Sequence, residues 1–322
     1  MPVLLFGLRF DLRNPAFSGV AMADRYRALL DMAEWADQRG AIYISVSEHH
    51  GSDDGYLPSA LTMAAAIAAR TKNVRIGINA LVAPFYDPLR LAEDAAVVDL
   101  LSAGRLDLTL TGGYVTTEFE MFGVAPSERP ARLREAIETL RAAWTGQPFQ
   151  FRGRTARVTP MPAQRGGPNI LLGGSSEAAA RRAARLADGF IPTEPQWWEY
   201  YRDECRKLGK PDPGPGMAAT AATVVLAEDP ETMWPKLGPY FLHETNSYGA
   251  WKNDADVSGP YSEMVDVDEV RASGQYRILT PEEYMAELAT AELPFALFHP
   301  MVGGIPPELA WESLRLFEAK CL

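Results

Sequence analysis

Residues 41–50 read AIYISVSEHH and run directly into GSDDGYLPS at 51–59. Ile42, Tyr43, Ile44 and Val46 form a short apolar, β-rich run, the pattern of a buried strand. The run ends in Ser47, Glu48, His49 and His50. A strand whose last residues turn from apolar to titratable fits a barrel or an open α/β sheet. In both, the carboxyl ends of parallel strands carry the chemistry. The competing reading is a strand end where an acid and two imidazoles meet solvent.

Outward from this stretch, strand and helix patterns alternate. Val3–Phe10 is a strand candidate, followed by a Pro/Gly/Ser loop and a helix from about Met22 to Arg39, with Gly40 as its stop. After the 41–47 strand come a small-residue helix at Pro58–Arg70, a strand at Val74–Ala83 and a helix at Leu89–Leu101. Leu106–Leu110 is the fourth strand, opening into Thr111, Gly112, Gly113 and Tyr114. Leu133, Ala136, Ile137, Leu140 and Trp144 mark the next helix. Residues 147–167, rich in Pro, Gly and basic side chains, interrupt the rhythm with a possible hairpin. It resumes with strands at 169–172, 189–192, 220–226 and 295–298, and helices at 177–187, 197–208, 281–289 and 307–319. Residues from about 230 to 276 show no simple pattern. Eight strands with helices between them predict a (β/α)8 TIM barrel in one domain, with a doubly wound open sheet as the rival.

The chain has 322 residues, more than the ~250 typical of such a barrel, which leaves room for insertions. Its net charge of -11 argues against nucleic acid or an anionic membrane as the main partner. Cys205 and Cys321 match no metal or redox spacing, and such sparing use suits a reducing cytoplasm. Met1–Leu12 lacks a basic leader region, and no apolar run reaches the ~18 residues of a membrane span. A cytoplasmic protein is expected.

Three strand-end loops are candidates for chemistry. Adjacent histidines in an extended strand point to opposite faces, so His49 and His50 are poor joint ligands for one metal. One can face a pocket while the other packs behind or bonds to Glu48. Only His243 and His299 remain to complete a metal set, and no metal site is expected. Gly173-Gly174-Ser175-Ser176 lies between a strand and a helix, where glycines let a ligand approach and helix N–H groups attract an anion. A plain serine N-cap explains the same residues. Asn79 breaks the third strand, as a bulge or a buried amide. No G-x-G-x-x-G follows any strand, which disfavours a nicotinamide on a Rossmann unit.

With these residues in view, the chain resembles the bacterial-luciferase-like flavin monooxygenases. The matching stretches are SEHHGSDDGYLPS, ARTKNVRIGINALVAPFYDPLRLAEDAAVVDLLSAGRLDL, GGYVTTEFEMFG and PNILLGGSSEAAARRAARLADG, in order along nearly the whole chain. The resemblance implies a TIM barrel with FMN at the carboxyl face and His49 as the active-site acid/base. It implies a bulge at Asn79-Ala80, in the family often a cis peptide, and contacts to the flavin edge at Thr111 and Gly112. It also implies a phosphate loop at Gly173, Gly174, Ser175 and Ser176. One departure is Gly112, where relatives holding reduced FMN often have arginine; Arg132 or the glycine loop must then meet the phosphate. The deazaflavin F420 becomes the alternative cofactor, with hydride transfer in place of oxygenation. The implied partners are a small organic substrate, molecular oxygen, a separate flavin reductase and a second copy of the chain. The aromatic-rich region at about 193–280 is expected to form a lid over a dry cavity. A non-catalytic flavin-binding subunit and a metal-dependent hydrolase are the remaining readings.

Overall fold

In the first strand Phe6, Leu8 and Phe10 are buried while the alternate positions Gly7 and Arg9 turn to the other face. Phe6 packs edge-on against Trp35 and Phe317, at 6.1 and 5.3 Å between ring centroids, so the buried face looks outward to the helices. The computed structural model describes residues 4–216, 222–255, 257, 259–291 and 294–322.

The strands are β1 (Leu5–Phe10), β2 (Tyr43–Val46), β3 (Arg75–Val82), β4 (Leu106–Thr111), β5 (Phe149–Phe151), β6 (Arg154–Ala156), β7 (Asn169–Gly174), β8 (Gly189–Pro192), β9 (Thr223–Leu226), β10 (Tyr276–Leu279) and β11 (Phe295–Phe298). The helices are α1 (Met22–Gln38), α2 (Ala60–Arg70), α3 (Pro88–Leu101), α4 (Thr116–Phe122), α5 (Arg129–Ala143), α6 (Glu177–Leu186), α7 (Gln196–Lys207), α8 (Pro230–Asp254), α9 (Val267–Ser273), α10 (Pro281–Thr290) and α11 (Pro307–Cys321). Asp87, Ser176 and Asp229 cap α3, α6 and α8 through their side chains, and Thr280 with Glu283 forms a capping box on α10.

Seven strands form one curled parallel sheet in the order β11-β1-β2-β3-β4-β7-β8. Their shared direction puts every carboxyl end on the same side. At its inner face β2 and β3 come close: a side chain at Gly77 would collide with the Tyr43 hydroxyl, so glycine is required there. The expected antiparallel hairpin is present as β5 and β6.

Among the described residues the expected closed barrel of eight hydrogen-bonded strands is not seen. Residues 220–221 of the expected seventh strand, like Val3 of the first, lie outside the described residues. Its described part, β9, pairs in parallel with β10 instead of joining the sheet. β10 comes from the tail of the stretch that showed no pattern. Among the described residues the sheet is a half-barrel with β8 and β11 at its edges. Most of that patternless stretch is α8, a 25-residue helix containing Pro235 and Pro239. No helix among the described residues is long and apolar enough to cross a membrane.

Candidate active site

The loop after β2 folds back onto the extension of β1. His49 N–H donates to the Leu57 carbonyl (3.2 Å), and Leu57 N–H to that of Asp11 (2.9 Å). β2 ends at Val46, so the two histidines lie in the loop beyond the expected strand, and their side chains reach different acids. His49 Nδ1 lies 2.8 Å from Glu118 Oε1, in the first turn of α4, and the same oxygen accepts the backbone N–H of His50 at 2.8 Å. A carboxylate only accepts, so Nδ1 carries the proton and Nε2 is left as the working nitrogen. The His50 ring turns the other way, to Glu48 Oε1 at 3.1 Å. Glu48 also accepts the Val82 N–H (3.2 Å) and the Tyr86 hydroxyl (2.6 Å). Burial, and then the adjacent Glu48 carboxylate, push the Tyr86 phenol well above its usual range.

Beside this pair, β3 bulges. The Asn79-Ala80 peptide is cis, and the ladder to β4 shifts register between Asn79 and Leu81. β4 ends at Thr111. Gly112 has open space beside it apart from Arg129 Cβ, which would lie 3.7 Å from an added Cβ. Arg129 donates to the Gly113 carbonyl at 3.0 Å, whereas Arg132 pairs with Glu128 at 2.7 Å on the exposed side of α5. Of the two arginines, Arg129 is the one against the fourth-strand turn.

At the end of β7 the two glycines differ. A side chain at Gly174 would run into Ala179, so this glycine lets the start of α6 pack close to the strand. A side chain at Gly173 would meet only ordinary contacts, the nearest being Thr109 and Thr111 at 3.7 and 3.8 Å. Ser176 caps α6, accepting from Ala179 N–H at 3.2 Å. The cap reading and the anion-cradle reading hold together: capping uses one donor and leaves other first-turn N–H groups without helical partners. Glu177 in that turn bonds to Arg181 at 2.7 Å, which offsets its charge.

The extension of β1 contributes Asp11 and Arg13. Arg13 is fully buried, donates to Asp54 Oδ2 at 2.6 Å, and lies 4.6–4.8 Å from the ring centroids of Tyr56, Tyr248 and Trp251. His243 Nε2 reaches the same Asp54 oxygen at 2.8 Å. Burial alone would raise the Asp54 carboxyl; hydrogen bonds from His243 and Ser52 and the Arg13 charge outweigh it and hold it below the usual range. Behind Arg13, His299 faces Asp11 with Nε2 (3.6 Å) and Glu244 with Nδ1 (3.5 Å). Asp11, Glu244 and His299 each place a ligand atom within 4.8 Å of the others. Arg9, 3.6 Å from Glu244, and Arg13, 3.5 Å from Asp11, already set positive charge against both acids, and the two carboxylates address different nitrogens. That arrangement suits charge balance within the protein better than a cation.

A family model described as luciferase-like monooxygenase matches residues 6–292. The chain belongs to that family. Among solved structures, it superposes on the monooxygenase RslO1 from Streptomyces bottropensis with a TM-score of 0.76 and 26% identity, covering 99% of this chain and 98% of that one. Among curated luciferase-like relatives, an F420-dependent glucose-6-phosphate dehydrogenase from Nocardia farcinica is 34% identical over 55% of this chain and 56% of its own. The oxygenase component of a flavin-dependent trigonelline monooxygenase from Acinetobacter baylyi is 33% identical over 45% and 42%. The matched part of the chain spans about half the length of these curated relatives.

His49 follows β2, the Asn79-Ala80 bulge lies in β3 and Thr111 ends β4, three neighbouring strands of the sheet. The carboxyl face also gathers Glu118, Arg13, Asp54, Tyr56 and Arg129, which sequence reasoning passed over, and His243, Glu244, Tyr248 and Trp251 of α8, from the region expected to form a lid. TTE opening the helix after the fourth strand was the available signal for Glu118. His243 and His299, read alone as structural, are tied to acids remote in sequence, and no spacing announces such a cluster.

Proposed function

We propose that this chain is a flavin-dependent monooxygenase acting on a small organic substrate with reduced FMN and oxygen, the flavin reduced by a separate reductase. The observation that carries the reading is His49, clamped at Nδ1 by buried Glu118 at the carboxyl face, next to the strand that bulges at Asn79-Ala80. Reduced FMN, when bound, supplies the electrons that activate oxygen. The residues to hold it are the Gly173–Ser176 loop at the phosphate, Asn79 and Ala80 at the ring face, and Thr111 and Gly112 at its edge. Arg129, more than Arg132, is placed to add positive charge there. His49 Nε2 holds or delivers a proton at the reacting centre, and Glu118 keeps its tautomer fixed. Tyr248 and Trp251 of α8 close over His49 and exclude water, the lid function of this single-domain chain. The intact His49–Glu118 pair supports turnover over a non-catalytic partner role.

A second reading, F420-dependent hydride transfer on the same face, draws support from Gly112 in place of arginine and from relatives at 34% identity named as F420-dependent. Titration of the full chain with reduced FMN and with F420 separates the two. Micromolar binding of FMN with oxygen uptake supports the first reading, and selective binding of F420 the second. Failure of both cofactors to bind would sink the flavin assignment altogether.

A further inference from the structure

Buried polar side-chain atoms without partners are not scattered through this protein. Among the described residues, six of the eight belong to Asp11, Arg13, Glu244 and His299. Native interiors leave few such atoms, and a cluster of them asks for a missing partner. Arg13 is the informative member. Its Nη1 is used by Asp54 and its Nε faces Asp11 Oδ2 at 3.5 Å, too long for a good hydrogen bond, while Nη2 has no acceptor. The rings that enclose it also stand around His49: Tyr56 at 4.9 Å, Tyr248 at 5.9 Å and Trp251 at 4.5 Å. Of these, only Trp251 approaches a stacked arrangement on the imidazole, 35° from parallel, and the others stand edge-on. One indole plane thus covers both the working histidine and a buried cation with unused donors. It comes from the last turn of α8 and is half-buried, in a position to withdraw.

We infer that the Trp251 indole occupies the place of the substrate ring, and that the substrate is a planar aromatic molecule whose neutral oxygen, a phenol or ring carbonyl, takes the unused N–H of Arg13. The inference rests on the reading of His49 as the active-site residue. A neutral oxygen is preferred because Arg9 and Arg13 face three acids here, Asp11, Asp54 and Glu244; a carboxylate would add to the excess of negative charge. Tyr56 and Tyr248 supply the edge-on walls that a flat ring needs.

The test is equilibrium dialysis of the full chain, without added cofactor, against 2-naphthol, 2-methylnaphthalene and 2-naphthoate. The phenol should bind about tenfold tighter than its methyl isostere, the worth of one well-made buried hydrogen bond, and the carboxylate should bind weakest. Arg13→Lys keeps a charge for Asp54 and Asp11 but lacks Nη2, and should bring phenol and methyl compound to within about threefold of each other. Trp251→Ala should tighten all three by removing the competing ring, and it decides the matter even if the Arg13 variant fails to fold. Equal affinity for phenol and methyl compound in the unaltered protein would mean that ordered water serves Arg13, and the inference falls. It falls equally if Trp251→Ala weakens ring binding. FMN and F420 affinities of the same proteins keep this outcome apart from the flavin reading, since loss of cofactor binding alone leaves the aromatic selectivity standing.

Discussion

The two sides of the carboxyl face are built differently. Around β2, β3 and α4, Glu48 and Glu118 gather five hydrogen bonds of 2.6–3.2 Å from His49, His50, Val82 and Tyr86. Around β1, β11 and α8, the charges of Asp11, Arg13, Glu244 and His299 face one another at 3.5–3.6 Å, and most of their polar atoms are unmatched. The first side fixes a tautomer before any ligand arrives. The second is held where Asp54 joins Arg13 to His243, where Tyr276 donates to Glu244 and where Tyr56 meets Tyr248, while the four charged groups themselves are loosely coupled. Chemistry common to many substrates needs the rigid side; recognition of a particular substrate needs the side with donors to spare.

Breaking the rigid side should have the largest effect. His49→Ala should lower turnover by about 10²–10⁴, the range for an acid/base group, with cofactor affinity little altered. Steady-state rates beside flavin titration check this, and an unimpaired variant would remove His49 from the mechanism. Glu118→Gln keeps the imidazole and should cost about one to two orders of magnitude in turnover, less than loss of the ring itself. Its pH–rate profile should change shape, which a merely structural glutamate would not cause.

Asp54 tests the charged joint of the looser side. Its carboxyl is held below the usual range in the folded state, so the unfolded chain takes up a proton first. The stabilisation is therefore complete above about pH 4, the unfolded carboxylate range, and is lost as pH falls below it. Asp54→Asn should cost about 3 kcal/mol at neutral pH, the lower end for breaking a buried pair, and should flatten this acid limb. Urea unfolding at pH 7 and at pH 3.5 measures both.

The glycine loop gives a smaller effect, and the structure selects the position. Gly174 packs on Ala179, so any side chain there confuses folding with binding; Gly173 has room. Gly173→Asp should weaken cofactor binding by about 2 kcal/mol, roughly thirtyfold, while Gly173→Ala should leave it near normal. Equal affinities in the two variants would move the phosphate elsewhere. The smallest change is Tyr248→Phe, which deletes the 2.7 Å bond to the Tyr56 hydroxyl but keeps the stack on Tyr261 and should cost about 1 kcal/mol. A loss above about 3 kcal/mol would show that α8 is as tightly knit as the β2 side.

The β/α alternation carried most of the fold, because buried parallel strands and amphipathic helices impose their periods on the sequence. It failed at 230–276 for an identifiable reason. α8 is buried on several sides and contains Pro235, Gly238, Pro239 and Gly249, so it shows no clean apolar stripe and carries two residues that ordinarily end a helix. The short strand it leads towards, Tyr276–Leu279, then goes unnoticed, and with it the pairing that β9 makes. In the site, His49 was legible because it follows a strand. Arg13, Glu118 and Glu244 were not, since what singles them out is burial and mutual approach across more than 40 residues of chain, which no local pattern encodes.

The gap between β8 and β11 has a consequence for inheritance. The segment that crosses it, from the end of β8 to the start of β11, contributes α8 and its rings to the carboxyl face but, among the described residues, no strand to the seven-stranded ladder. Beyond Thr193, whose N–H donates to the Gly174 carbonyl of β7, lengthening, shortening or exchanging that segment leaves the strand ladders of the main sheet and the His49–Glu118 pair untouched. A lineage carrying this scaffold can change what it accepts far faster than it changes how it reacts.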